Sequence, residues 1–124
     1  MSLFEAGMVC LALNIYYEAR GESNEGQLAV AMVTLVRADG KPGRICRVVY
    51  ASGQFSWTAT VSHPAYVPRA YIQVARRAYL QFIANAPDPS RGATHYHTGP
   101  KPYWTRGAHY LVSVGNHHFY KDVR

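Results

Sequence analysis

The sequence has few cysteines, few acidic residues and no long hydrophobic run, and each shortage excludes a class of protein. Its two cysteines, Cys10 and Cys46, are too few for a disulfide framework or a zinc ribbon. Both lie in apolar stretches, so we expect buried free thiols. No stretch approaches the roughly 20 consecutive apolar residues of a transmembrane helix, so stable membrane insertion is not expected.

The small number of acidic residues makes the chain basic. Seven Asp and Glu stand against 13 Lys and Arg, which gives a formal charge of +6. Such a surface attracts polyanions such as nucleic acid, anionic lipid and bacterial cell wall, although the same charge also serves solubility alone. The basic residues neither cluster nor interleave with aromatics along one strand, so we expect no nucleic-acid partner.

Length and composition predict a single domain spanning residues 1–124, because 124 residues with 48% hydrophobic content are enough for one compact core. The N-terminus has no basic leader and runs straight into a helical pattern. We therefore expect no signal peptide, and a chain made in the cytoplasm. We also expect a monomer that needs no cofactor.

The first part of the chain shows helical signals. Ser2–Glu5 has the form of a capping box, apolar residues then recur at three- and four-residue spacing, and Gly21 ends the pattern. Asn24–Gln27 is a second capping signal. The segment Leu28–Val36 that follows is apolar on nearly every side, as expected of a helix buried in the middle of a domain.

The rest of the chain predicts shorter elements. Arg44–Tyr50 fits a short helix, and Pro68 suits the first turn of a longer one that stops before Pro87. Polar and aromatic residues then alternate in Thr94–His97 and around Val112–Tyr120, which indicates short antiparallel strands. The fold class is therefore α+β, with helices first and a small sheet near the C-terminus.

Glu18 lies at the end of the apolar stripe of the first helix. Each helical residue turns about 100°, so Glu18 points the same way as Leu11 and lies near Ile15. Poor solvation at that position raises the pKa of a carboxyl group, as a glycosidase requires of its general acid. The alternative is that Glu18 merely ends the helix and faces solvent, where it pairs with an arginine.

Glu22 and Glu25 follow Glu18 across a helix end interrupted by glycine, where the backbone can form the wall of a cleft. They are candidates for a second acidic group. Acidic residues in the first turn of a helix also interact favourably with its dipole, and this is the interpretation we favour for Glu25.

The histidines offer a second chemistry. His95, His97 and one of the neighbouring pair His117 and His118 are enough for three zinc ligands, which would indicate a metal-dependent amidase or peptidase. Residues 117 and 118 point to opposite faces of a strand, so at most three histidines converge. The alternative is that they form hydrogen bonds within a polar groove.

Five segments carry a resemblance that covers almost the whole chain. They are Glu18–Glu22 (EARGE), Glu25–Gln27 (EGQ), Gln54–Trp57 (QFSW), Gly92–His97 (GATHYH, with Trp104 following) and Val114–Tyr120 (VGNHHFY). In this order they resemble the motifs of the SleB/CwlJ-type cell-wall hydrolases, known for spore-cortex lysis and as phage lysins. The chain departs from the family pattern at Ser23 and Val36.

The resemblance implies a lysozyme-like, transglycosylase-type fold, with Glu18 as the catalytic acid and peptidoglycan glycan strands as substrate. It also implies a glycan groove, and the residues we expect to bind substrate are Glu22, Gln54, Phe55, Trp57, Thr94, His95, Tyr96, His97, Trp104 and His117. A chain with neither leader nor wall-binding module suggests a phage-type endolysin, which would reach the periplasm and cell wall through a separate pore-forming, holin-type partner.

The expected reaction is cleavage between N-acetylmuramic acid and N-acetylglucosamine. A lytic transglycosylase needs Glu18 alone, first as acid and then as base. An inverting muramidase would use Glu22 or Glu25 to activate water, with the two carboxyl groups about 6.5–9.5 Å apart.

Overall fold

The computed structural model describes residues 1–51, 55–61 and 66–124. Within them the helices come first and a three-stranded sheet comes last, which confirms the predicted α+β order. The elements are α1 (Leu3–Ala19), α2 (Asn24–Arg37), α3 (Pro42–Val49), α4 (Arg69–Ile83), β1 (His95–His97), β2 (His109–Val114) and β3 (His117–Lys121), with 3₁₀ turns at Ser56–Ala59 and Tyr103–Thr105. No helix among the described residues is long and apolar enough to cross a membrane.

Helix α1 begins at the predicted capping box and runs through the centre of the core. The Ser2 hydroxyl accepts a hydrogen bond from the Glu5 amide at 3.1 Å, and the Glu5 carboxylate accepts one from the Ser2 amide at 3.3 Å. The helix packs against α2, α3 and α4, with Leu11 and Ile15 fully buried. Gly21 follows its end with φ +88°, a conformation that glycine adopts at little cost. The last turn of α1 therefore stands at the edge of the core.

Helix α2 starts one residue earlier than its capping signal suggested. Ser23, not Asn24, is the N-cap, and its hydroxyl accepts a hydrogen bond from the Gly26 amide at 3.1 Å. The stretch from Ala29 to Leu35 is buried without interruption, as its apolar sequence predicted. Both α1 and α2 are thus central helices.

Helix α3 packs so closely on α1 that the two cysteines meet. A Cβ added to Gly7 would lie 2.7 Å from the carbonyl oxygen of Pro42, so only glycine permits this approach. Cys10 and Cys46 form a disulfide with their Cα atoms 5.2 Å apart. The expectation of free thiols was wrong, because the contact is made by the packing of two helices and leaves no mark in the local sequence.

The sheet has the strand order β1–β3–β2, and both pairings are antiparallel. Tyr96 of β1 lies opposite Phe119 of β3. His117 and Phe119 are buried, and α2 contacts both β1 and β2. The sheet therefore holds β1 against the helices, and together they enclose a cavity.

Candidate active site

A cavity of about 270 Å³ opens where the end of α1 meets α2 and β1. It brings together most of the residues that the sequence analysis selected for a site. Its lining consists of Tyr17, Glu18, Val33, Thr34, Arg37, Val48, Phe55, Thr94, His95, Tyr96, His97, Thr98, Trp104 and His117. Eight of the predicted site residues are in this set.

Glu18 is half-buried in the last turn of α1. Its Oε2 accepts a hydrogen bond from Nε1 of Trp57 at 3.0 Å, and Tyr96 lines the same cavity. Burial raises the pKa of Glu18, although the interactions of its carboxyl group with Tyr96 and Trp57 act in the opposite direction. Glu18 therefore keeps its proton to a higher pH than an exposed glutamate does.

Four aromatic rings form a continuous stack beside Glu18, and we call Tyr17, Trp57, Phe55 and Tyr96 the aromatic stack. The centroids of Tyr17 and Trp57 are 4.9 Å apart, those of Trp57 and Phe55 6.1 Å, and those of Phe55 and Tyr96 6.2 Å. Every pair is close to parallel. The aromatic stack keeps water from one side of the carboxyl group. It also holds in place the indole N–H of Trp57, which donates a hydrogen bond to Glu18.

Strand β1 supplies the opposite wall of the cavity. His95 and His97 both pack against Trp104, with ring centroids 5.4 and 5.8 Å from the indole. The Thr94 carbonyl accepts a hydrogen bond from Nη1 of Arg37 at 3.2 Å. Burial, reinforced by the charge of Arg37, lowers the pKa of His95, so this ring is neutral at neutral pH.

His117 lies beneath the cavity and is only 2% exposed. Its ring lies close to the backbone of Glu18 and packs on Tyr96 with the two centroids 5.3 Å apart. Burial lowers its pKa although the charge of Glu22 opposes the shift. His117 therefore packs as a neutral ring beneath the last turn of α1.

The three histidines of the metal interpretation do not form a ligand set. Across residues 1–51, 55–61 and 66–124, no three His, Cys, Asp or Glu side chains lie in a group able to hold one ion. The rings of His95 and His97 pack against Trp104, whereas the ring of His117 packs against Tyr96.

Glu22 and Glu25 lie outside the cavity lining. The Glu22 carboxylate accepts hydrogen bonds from the backbone amide and the side-chain amide of Asn116, at 3.4 and 3.1 Å. It thereby joins the start of α2 to the β2–β3 turn. Glu25 is exposed and lines a separate hollow between α2 and α4. Gln54, another predicted substrate-binding residue, is outside the described residues.

Sequence reasoning missed four polar residues of the cavity: Tyr17, Thr34, Arg37 and Thr98. Arg37 had one signal, since it follows Val36 at a point where the chain departs from the family pattern. Thr34 lies within an apolar run that indicates a core helix, and Tyr17 is one of ten tyrosines. Nothing local separates these two from core or surface residues.

Residues 21–120 match the family model described as cell wall hydrolase. The chain belongs to this family. The resemblance to the SleB/CwlJ-type enzymes is thereby confirmed, and curated relatives agree with it. The chain is 34% identical over 114 residues to a spore cortex-lytic enzyme of Bacillus subtilis, and 38% identical over 88 residues to a spore cortex-lytic enzyme of Halalkalibacterium halodurans.

These alignments cover 88% and 69% of this chain but only 35% and 25% of the two relatives, so the chain spans about a third or less of their length. Two solved structures share the lysozyme-like fold. The catalytic domain of the Bacillus cereus SleB protein superposes with a TM-score of 0.73 at 24% identity, covering 97% of this chain and 91% of that one. The catalytic domain of a germination-specific lytic transglycosylase, SleB from Bacillus anthracis, gives 0.66 at 27% identity, covering 98% and 97%.

Proposed function

We propose that this domain cleaves the glycan strands of peptidoglycan, with Glu18 as general acid. The observation that carries the proposal is a half-buried carboxyl group with a raised pKa that lines a cavity together with aromatic side chains. The structural relative from Bacillus anthracis is named as a lytic transglycosylase, which supports the same reaction class.

In the first step Glu18 gives its proton to the oxygen between N-acetylmuramic acid and N-acetylglucosamine. The bond from the muramyl anomeric carbon to that oxygen breaks, its electron pair stays on the oxygen, and the muramyl ring passes through an oxocarbenium-like transition state. The cavity serves this step in two ways. It keeps the acid protonated by limiting its hydration, and it offers aromatic faces to the sugar rings.

In the second step the Glu18 carboxylate takes the proton of the muramyl C6 hydroxyl, whose oxygen bonds to the anomeric carbon and closes an anhydro ring. This route uses no second carboxylate. Glu18 is the one Asp or Glu among the described residues that line the cavity. The Glu22 carboxylate accepts a hydrogen bond from the side-chain amide of Asn116. These observations favour the transglycosylase over the inverting route through Glu22 or Glu25.

Mass spectrometry of digested, purified peptidoglycan tests the mechanism. We expect muramyl ends that are lighter than a reducing end by one water. Ordinary reducing ends would contradict the anhydro route and return Glu22 and Glu25 to consideration.

The Glu18→Gln variant tests the acid itself, because it preserves the shape of the side chain and removes its proton. We expect lysis to fall by about 10²- to 10⁴-fold. Glu25→Gln is the matched control, since it makes the same change at an exposed glutamate outside the cavity. Full activity of Glu18→Gln would refute the proposal.

Treatment with a chelator distinguishes the glycosidase from the metal-dependent alternative, which would lose activity when the metal is removed. We expect full lytic activity after exhaustive treatment, because the described histidines form no ligand set. Loss of activity that returns with added zinc would support an amidase or peptidase instead.

The site of action we propose is the bacterial cell wall. The Cys10–Cys46 disulfide agrees with this, since disulfides persist mainly in oxidising environments outside the cytoplasm. The endolysin role, the monomeric state and the holin-type partner stay predictions. Efficient export of this chain when it is expressed alone would count against such a partner.

A further inference from the structure

Two fully buried polar side chains, one of which lines the cavity, have no role in the steps above. Asn14 of α1 is 0% exposed and Thr34 of α2 is 1% exposed. The Thr34 hydroxyl donates a hydrogen bond to Oδ1 of Asn14 at 2.7 Å. Burying such groups is costly unless they are hydrogen-bonded, so their pairing fixes both side chains.

The Asn14 amide presents its oxygen to Thr34 and its NH₂ group to Tyr96. With its oxygen engaged by Thr34, Asn14 turns its NH₂ group outward, and Nδ2 donates to the Tyr96 hydroxyl oxygen at 3.4 Å. Tyr96 has a single hydroxyl proton. Because Asn14 donates to this oxygen and does not accept from it, that proton is left for another acceptor, and the Glu18 carboxyl group lines the same cavity and interacts with Tyr96.

We propose that Asn14, oriented by Thr34, is a positioning residue that directs the Tyr96 hydroxyl proton onto the Glu18 carboxyl group. The proposal rests on the function proposed above and adds a chain of one-way hydrogen bonds: Thr34 to Asn14, Asn14 to Tyr96, and Tyr96 to Glu18. Asn14 and Thr34 themselves act at a distance, through Tyr96.

The chain of hydrogen bonds serves a general acid by fixing the orientation of its carboxyl group. The indole of Trp57 donates to Oε2 of Glu18, so a second donor from Tyr96 leaves the carboxyl group one orientation that satisfies both. Burial raises the pKa of Tyr96 well above its usual value, so the phenol remains a donor across the range in which enzymes are assayed.

The pH profile of activity reports on this contact. Activity falls at high pH as Glu18 loses its proton, and the bond from Tyr96 lowers the pKa of Glu18. We call this fall in activity the alkaline limb of the pH profile. Loss of the bond from Tyr96 raises the pKa of Glu18 and moves the alkaline limb to higher pH. The other titratable and charged groups that line the cavity, which each variant below leaves in place, are Tyr17, Arg37, His95, His97 and His117.

Three variants test the chain. Tyr96→Phe removes the donor, and we expect the alkaline limb to move to higher pH and kcat to fall by about tenfold, with a smaller change in KM. Thr34→Val keeps the shape but frees the Asn14 amide to turn over, so we expect a change in the same direction and of smaller size. Thr34→Ser restores the hydroxyl and should restore both values.

The decisive measurement combines two changes. In a Tyr96→Phe background, Thr34→Val should alter neither kcat nor the alkaline limb, because the effect travels through Tyr96. Ser90→Ala is the control, since it deletes another fully buried hydroxyl, bonded to Asp88 at 2.8 Å and outside the cavity. It should lower stability and leave the pH profile unchanged.

The outcomes separate this inference from the proposed function. Thr34→Val with wild-type kcat and pH profile, alongside an inactive Glu18→Gln, would overturn the hydrogen-bond chain and leave the function standing. An active Glu18→Gln would remove the function itself. If Thr34→Val does not fold, Asn14→Leu probes the same link, because it removes the amide that donates to Tyr96 and keeps a side chain of similar size. A wild-type profile for that variant would also overturn the inference.

Discussion

Nε1 of Trp57 lies 3.0 Å from Oε2 of Glu18, while the indole ring stacks on Tyr17 at 4.9 Å. Trp57 thus serves the carboxyl group twice, as a hydrogen-bond donor and as part of its dry surroundings. The two effects act on the pKa of Glu18 in opposite directions, and burial is the larger. Substitution at Trp57 can separate them.

Trp57→Phe keeps an aromatic ring in the stack and removes the N–H donor. We expect the alkaline limb of the pH profile to move to higher pH, because the lost bond lowered the pKa of Glu18. We also expect kcat to fall by about tenfold as the carboxyl group loses a fixed orientation. Trp104→Phe is the control: it lines the cavity on the far wall and should change KM without moving the limb.

Glu18 should make the folded protein less stable as the pH rises. Its pKa is raised in the folded state, so between the ordinary value and the raised one the folded protein holds a proton that the unfolded chain has lost. Stability therefore falls through this range. Glu18→Gln, which cannot ionise, should be more stable than wild type at neutral pH, and the difference should close in acid. Denaturant unfolding at several pH values measures it.

The pKa of Glu5 is shifted in the opposite direction to that of Glu18, so Glu5 serves as a comparison. Its hydrogen bonds with Ser2 lower its pKa, so its contribution to stability is present above the ordinary value and is lost as the pH falls through the lowered one. Glu5→Gln should therefore be less stable than wild type at neutral pH. If both variants shift stability in the same direction, the assignment for Glu18 is wrong.

The features that the sequence predicted are those that depend on neighbouring residues. The capping box at Ser2 and Glu5 works over three residues, and the placement of Glu18 follows from the turn of one helix. The alternation around Tyr96 likewise predicted a strand. In each case the physical cause lies within a few residues of the pattern.

The features that it missed depend on residues distant in sequence. Cys10 and Cys46 are 36 residues apart, and Asn14 meets Tyr96 across 82. Asn14 lies on a helix face that periodicity assigns to the core, where it is indeed buried. Its contact with the Tyr96 hydroxyl group forms only in the folded chain, where β1 lies beside the helices.

The Cys10–Cys46 disulfide should contribute markedly to stability. It closes a loop of 36 residues, for which the loss of unfolded-state entropy gives about 3–4 kcal/mol. We expect the Cys10→Ala, Cys46→Ala double variant to unfold at lower denaturant concentration by a corresponding amount. A reducing agent should lower the stability of wild type and leave that of the variant unchanged. Equal stability of the two proteins before reduction would contradict the prediction.

Glu22 distinguishes a structural carboxylate from a catalytic base. It joins the start of α2 to the turn at Asn116, and a Cβ on Gly115, which has φ +57°, would overlap with its Oε1. We expect Glu22→Gln to keep anhydro products and activity within a few-fold of wild type, and to cost about 1 kcal/mol of stability through a weakened hydrogen bond.

Gly115→Ala should reproduce the structural effect of Glu22→Gln without substituting any carboxylate. It forces a side chain into a left-handed backbone conformation and displaces Glu22, so we expect a loss of about 1–3 kcal/mol. A base that activates water predicts a different pair of results. Glu22→Gln would then abolish turnover with little loss of stability, and the Gly115→Ala protein, in which Glu22 is displaced, would also lose turnover per folded molecule. Thermal unfolding measured beside product masses therefore decides whether this carboxylate holds the hairpin or takes part in the reaction.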